Sequence, residues 1–192
     1  MSTKLTKLLQ SNLKVFTLDD LGIIWGQKSR SATRQSARDY ASRGSLIRLR
    51  QGVYALPHVE LDSFMVANKL LAPSYITGLS VLIDAGLSFQ FTSCVFSAAS
   101  YNKKYELGEK TFVYSQVKES ILFNSLGLND TGPTSIAGVE RAMCDLVYLN
   151  KGRYPFEGFE GINWELMDSC AKIYECSFVP IAIKALKEQN AG

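Results

Sequence analysis

Apolar residues spaced three and four apart mark both ends of the chain, and its middle carries strand-like runs and loops rich in Gly, Asn and Pro. Leu5, Leu8, Leu9 and Leu13 predict a first amphipathic helix over 3–13. Thr17-Leu18-Asp19-Asp20 follows, and Thr17 with Asp20 three residues on fits an N-cap arrangement. Leu18, Leu21, Ile24 and Trp25 then form the apolar face of a short second helix that Gly26 ends. Ser29 can cap a third helix and Gly44 can close it. In that helix Thr33, Ala37, Tyr40 and Ala41 cluster on one side. Leu46, Ile47, Leu49, Val53 and Tyr54 favour strands around the turn Arg50-Gln51-Gly52, which predicts a β-hairpin.

Beyond the connector Pro57-His58, residues 61–71 read as a helix capped by Asp62 and ended before Pro73. Residues 74–85 read as a buried helix closed by Gly86. Two strand-like runs cover 92–98 and 110–117, with Tyr101 to Tyr105 as a loop between them. Residues 124–135 read as another loop, and helices are expected over 136–150, 163–174 and 179–187. The fold class expected is α+β: a winged helix-turn-helix domain over 1–58, then a mixed α/β domain over 59–192. The apolar stretch 139–149 is far shorter than the ~20 residues that span a bilayer, and no signal peptide is visible. A cytoplasmic protein without a membrane partner is therefore expected.

Hydrophobic residues make up 46% and charged residues 20%, close to the globular average, so the chain can bury a core. The net charge of +3 hides an asymmetry: residues 1–60 hold ten Lys/Arg against four Asp/Glu, and the remainder eleven against fourteen. A basic end joined to a mildly acidic one points to nucleic acid for the first part and another task for the second. Cys94, Cys144, Cys170 and Cys176 form no C-x-x-C pair, so reduced, mostly buried thiols are expected, with no metal site and no cofactor. His58 is the only histidine and falls in the connector, which argues against Ser-His-Asp or Cys-His catalysis. There is no Gly-rich phosphate loop, and Gln116-Val117-Lys118 is only a faint echo of a nuclease hairpin. Glu140, Arg141 and Asp145 share a helix and read as a network between helix and sheet. A protein that is not an enzyme is expected.

The candidate chemistry lies in the third helix. Ser31, Arg34, Gln35 and Arg38 fall opposite its apolar side, with Arg30 at the margin and Lys28 just before it. Each carries a donor suited to phosphate oxygens or base edges. From Lys28 to Arg50 there are seven Lys/Arg and one acid, Asp39, whereas an ordinary solvated face mixes signs. Arg48, Arg50 and Gln51 lie on the hairpin that follows. Helix, helix, basic helix and basic hairpin occur in the order of a winged-helix domain, whose third helix enters the major groove. DNA-binding residues are therefore expected at Lys28, Arg30, Ser31, Arg34, Gln35, Arg38, Arg48, Arg50 and Gln51.

Three segments carry a resemblance to a known family. Gly44-Ser45-Leu46-Ile47-Arg48-Leu49-Arg50-Gln51-Gly52-Val53-Tyr54-Ala55, Ala67-Asn68-Lys69-Leu70-Leu71-Ala72-Pro73-Ser74-Tyr75-Ile76 and Ile136 to Leu149 resemble segments of AbiEi-type antitoxins. Gly138-Val139 stands where that family often has Ser-Pro. The resemblance implies an antitoxin of a type IV toxin–antitoxin, abortive-infection (phage-defence) system. Its N-terminal domain would bind double-stranded operator DNA and repress its own operon. Its C-terminal domain would act against a nucleotidyltransferase-like toxin. The alternative is a winged-helix transcriptional regulator with a ligand- or protein-sensing second domain and no toxin.

Overall fold

A computed structural model describes residues 3–131 and 134–190. The chain divides into two compact units, residues 1–70 and 71–192. The first unit thus extends past the boundary expected at 58, because the helix after the connector belongs to it.

In the first unit, α1 (Thr3–Gln10) leads to β1 (Val15–Thr17), α2 (Leu18–Trp25), α3 (Arg30–Ser42), β2 (Ile47–Arg50), β3 (Val53–Ala55) and α4 (Ser63–Leu70). The expected first helix stops early, because Asn12 turns to a left-handed φ of 58°. β1 is a strand that periodicity does not reveal. It pairs antiparallel with β3, Phe16 opposite Tyr54, and the sheet order is β1-β3-β2. Leu8, Phe16, Leu21, Trp25, Ala37, Leu46 and Tyr54 form one buried core. The Trp25 and Tyr40 rings lie 5.5 Å apart beside it.

The start of α2 is held by a full capping box. Thr17 Oγ1 accepts from the Asp20 amide at 3.2 Å, and Asp20 Oδ2 accepts from the Thr17 amide at 2.8 Å. The same carboxylate oxygen takes Lys69 Nζ at 2.9 Å, which ties α4 to α2. Asp62 caps α4 as expected, its Oδ1 accepting from the Phe64 amide at 2.8 Å.

The second unit contains β4 (Ser74–Ile76), α5 (Leu79–Asp84), β5 (Cys94–Ala99), β6 (Lys103–Leu107), β7 (Lys110–Gln116), α6 (Glu119–Leu122), β8 (Leu128–Thr131), β9 (Thr134–Ala137), α7 (Val139–Leu149), α8 (Trp164–Ala171) and α9 (Phe178–Gln189). Six strands form one mixed sheet in the order β6-β7-β5-β4-β9-β8. Helices and two sheets together make an α+β protein. The strands expected at 92–98 and 110–117 are β5 and β7, which pair in parallel.

Three expectations are corrected here. Residues 74–85 are not one helix: Ser74–Ile76 is a central strand, and Gly78 at φ 60° and ψ −135° breaks the run before α5. The segment read as a loop at Tyr101 to Tyr105 runs into β6, where Tyr105 and Leu107 turn partly inward while Lys104 and Glu106 stay exposed. The segment read as a loop over 124–135 holds the paired strands β8 and β9, although Gly132 and Pro133 lie outside the described residues.

Burial is the largest single influence on the Asp20 carboxyl and pushes it up, but the donors of Lys69 and Thr17 together outweigh it and hold the group below its ordinary value. A lowered acid contributes stability that is present above its unfolded value, roughly 3.9, and lost as pH falls through its folded value. Unfolding of the first unit is therefore expected to become easier in acid. Asp20→Asn should cost about 1–2 kcal/mol at neutral pH and flatten this acid limb in urea titrations.

Gly127 has a φ of 71°. A Cβ there would lie 2.9 Å from Cys170 Sγ and 3.0 Å from Arg141 Cβ. Gly127→Ala combines left-handed strain with overpacking. It should destabilise the second unit by about 2–4 kcal/mol, read from the unfolding midpoint.

Candidate functional site

α3 is positioned by its small residues. Thr33 and Ala37 are buried, and Tyr40 and Ala41 are half-buried against the core, so one narrow strip of the helix faces inward. Ser29 caps the N-terminus, its Oγ accepting from the Ala32 amide at 3.3 Å. Ser36 receives Lys4 Nζ at 2.8 Å and Gln27 Nε2 at 3.2 Å, which fixes the helix against α1 and the α2–α3 turn. Lys4 also lies 5.0 Å over the Trp25 ring.

This packing leaves Lys28, Arg30, Ser31, Arg34, Gln35 and Arg38 exposed. Arg30 pairs with Asp19 at 3.1 Å, a solvent-exposed pair of little energetic weight. Lys28, Arg34 and Arg38 make no ion pair among the described residues. Gln35 Nε2 donates to Asp39 Oδ1 at 2.9 Å, a partnership not anticipated from the sequence, although the i,i+4 spacing carried the signal.

The hairpin separates its three residues. Gln51 and Arg48 are exposed, and Arg48 Nε reaches the Arg50 carbonyl at 3.4 Å. Arg50 is half-buried and donates from Nη2 to the Leu70 carbonyl. Part of its guanidinium is thus committed to holding the end of α4. A shift in pairing register between Arg48 and Arg50 turns the two side chains to different tasks.

The second cluster of charge is entirely internal. Arg141 and Asp145, one turn apart on α7, both have 0% exposed side chains. Arg141 Nη1 donates to the carbonyls of Leu126 at 2.8 Å and Asn124 at 3.4 Å. Its Nη2 donates to the Ile121 carbonyl at 2.7 Å and to Tyr75 Oη at 3.1 Å. Asp145 Oδ1 accepts from Tyr174 Oη at 2.6 Å and Tyr75 Oη at 3.1 Å, and its Oδ2 accepts from Thr77 Oγ1 at 2.6 Å. Burial pushes the Asp145 carboxyl up, against the pull of Arg141 and the three hydroxyl donors. Burial likewise pushes the Tyr75 and Tyr174 hydroxyls well above their ordinary value, so both stay protonated donors. A network this closed offers no route for a substrate. It matches the helix-to-sheet role read from Glu140, Arg141 and Asp145, and Glu140 Oε1 adds a contact to the Asn163 amide at 2.9 Å.

His58 is exposed and takes φ 57°. Cys144 and Cys170 are buried, Cys94 and Cys176 half-buried, and all four are free thiols. Among the described residues, no three His, Cys, Asp or Glu side chains gather in a way that could hold a metal ion, and no helix is long and apolar enough to cross a membrane.

No family model and no curated protein matches this chain. The resemblance noted above therefore stands on its own residues, and the structure gives those residues places. Tyr75, from the segment 67–76, and Arg141 and Asp145, from the segment 136–149, meet in the one buried network.

Removing Arg141 would strand a buried carboxylate and three carbonyls. Arg141→Met is expected to cost about 3–5 kcal/mol in equilibrium unfolding. Arg141→Met combined with Asp145→Leu should cost less than the sum of the single losses, because the pair leaves no unmatched charge.

Proposed function

We propose that this protein binds duplex DNA through its first unit and acts as a repressor of its own operon. The carrying observation is the outer face of α3, where Ser31, Arg34, Gln35 and Arg38 are exposed together and no acid but Asp39 lies within reach on the helix. The order helix, strand, helix, helix, hairpin supports a winged helix-turn-helix, with β1 added to the hairpin edge as a third strand. In that arrangement α3 enters the major groove, and Arg48 and Gln51 on the hairpin follow the backbone beside it. Lys28 and Arg30 flank the start of α3, suited to phosphate contact. Arg50 contributes chiefly by fixing the hairpin to α4. The reading is that of a binding protein rather than an enzyme.

The antitoxin role is proposed on the resemblance of residues 67–76 and 136–149. In this reading the second unit counters a nucleotidyltransferase-like toxin. Those residues are framework, so they speak for the unit's fold and leave its acting surface to be found by neutralisation assays. A regulator without a toxin is the outcome if a co-expressed neighbouring nucleotidyltransferase-like protein is harmless by itself.

The test is a titration of the full chain on DNA from upstream of its own gene, against random duplex and at several salt concentrations. Specific, salt-sensitive binding is expected. Arg34→Ala and Arg38→Ala should each weaken it. A base contact costs about 1–3 kcal/mol and relaxes preference at one position, whereas a phosphate contact lowers the salt slope by about one. Binding by both variants equal to that of the unaltered protein would remove α3 as the reading helix.

A further inference from the structure

Gln35 and Asp39 lie one turn apart on the exposed side of α3, joined by the 2.9 Å bond from Gln35 Nε2 to Asp39 Oδ1. An amide has two N–H donors and one carbonyl acceptor. The bond uses one donor, and neither the second donor nor the carbonyl oxygen has a partner among the described residues. A free glutamine samples many rotamers and two amide orientations, and a base contact must first select one of them. Here a carboxylate makes the selection, because it accepts only from the nitrogen end.

We propose that Asp39 is a positioning residue for base reading: it holds the Gln35 amide so that the carbonyl oxygen and the remaining N–H are offered together to an adenine edge. This rests on the nucleic-acid reading given above. The pair that matches is A·T in the major groove, where adenine N7 accepts and its N6 amine donates. The placement of the acid supports the assignment. Asp39 is the single carboxylate between Lys28 and Arg50, among seven cations. A negative charge on a DNA-facing helix weakens attraction to every phosphate backbone alike. It therefore lowers binding to every duplex while sharpening one contact, and the sharpened contact is what raises specificity. Helix stability gives little competing reason for an acid here, since an i,i+4 side-chain bond adds only slightly to a helix. Asp39 sits in the last turn of α3, where the helix dipole disfavours a negative charge.

The experiment is selection from a randomised duplex pool by the full chain, with bound sequences counted. The unaltered protein is expected to enrich an A·T pair at one defined position. Gln35→Ala and Asp39→Ala should each reduce that preference on the order of tenfold at the same position, and the double variant should reduce it no further. Asp39→Asn keeps an oxygen acceptor but also offers N–H donors that can take the Gln35 carbonyl, so it is expected to restore the preference only in part. Asp39→Ala should also bind unselected duplex more tightly than the unaltered protein does, and should melt no lower. An unchanged preference in Asp39→Ala, or a loss spread evenly over all positions, overturns the proposal while leaving α3 as the binding helix. No enrichment by the unaltered protein overturns the nucleic-acid reading itself, and the proposal with it.

Discussion

Arg141 and Asp145 commit the second unit to one arrangement because neither charge reaches water. Removing two ions from water costs several kcal/mol each, and only near-complete hydrogen bonding offsets that cost. The partners that supply it come from far apart in the chain. Ile121, Asn124 and Leu126 give carbonyls, Tyr75 and Thr77 come from β4 and its end, and Tyr174 follows α8. Sliding β4 by one residue against α7 would turn Tyr75 to the opposite face and leave both ions short of a partner. The network therefore penalises wrong packings more than it stabilises the right one. Its geometry extends to the backbone. The loop whose carbonyls receive Arg141 must pass so close to that side chain that residue 127 has no room for a Cβ.

The first unit uses charge in the opposite sense. Its half-buried carboxylate Asp20 closes the α2 cap and receives Lys69 from α4. Most of its other cations are left outside. α3 buries only the short side chains of Thr33 and Ala37 in full, which brings its axis close to the core and leaves a broad polar face in solvent. The Arg50–Leu70 bond and the Asp20–Lys69 pair explain why α4 belongs to this unit. Two separate anchors join it to the hairpin and to α2.

The elements legible in the sequence were those that local chemistry dictates. The Thr17–Asp20 box, the Ser29 cap and the turn at Gly52 each act within a few residues, so α2, α3 and the hairpin stand close to where the sequence predicts them. β1 was invisible because three residues have no period, and its existence depends on Tyr54 and Val53 far along the chain. β4 carries a helical signal because Tyr75, Leu79 and Leu82 fit helical spacing equally well. What decides against a helix is the Gly78 backbone, whose need for positive φ is not written in the pattern. β6 was hidden by its lysines, since an edge strand is free to carry charge on its open side. Of the buried network, only the Arg141–Asp145 spacing was visible. The hydroxyls of Thr77, Tyr75 and Tyr174 converge on it through tertiary packing alone.

This contrast bears on what the two groups of residues mean. Tyr75, Arg141 and Asp145 are fixed by folding, since each satisfies a buried partner. Ser31, Arg34, Gln35 and Arg38 are under no such requirement. They are exposed, they bury no core, and an exposed helix position accepts Ala, Glu, Lys or Arg at nearly equal cost. A face left to helix propensity would carry acids and bases mixed, with Glu and Lys alternating in i,i+4 pairs. Here the outward positions carry donors, and the one carboxylate on the helix itself is engaged by Gln35 instead of neutralising an arginine. Packing does not account for that choice of residues. The polyanionic partner proposed above, with readable hydrogen-bonding edges, would.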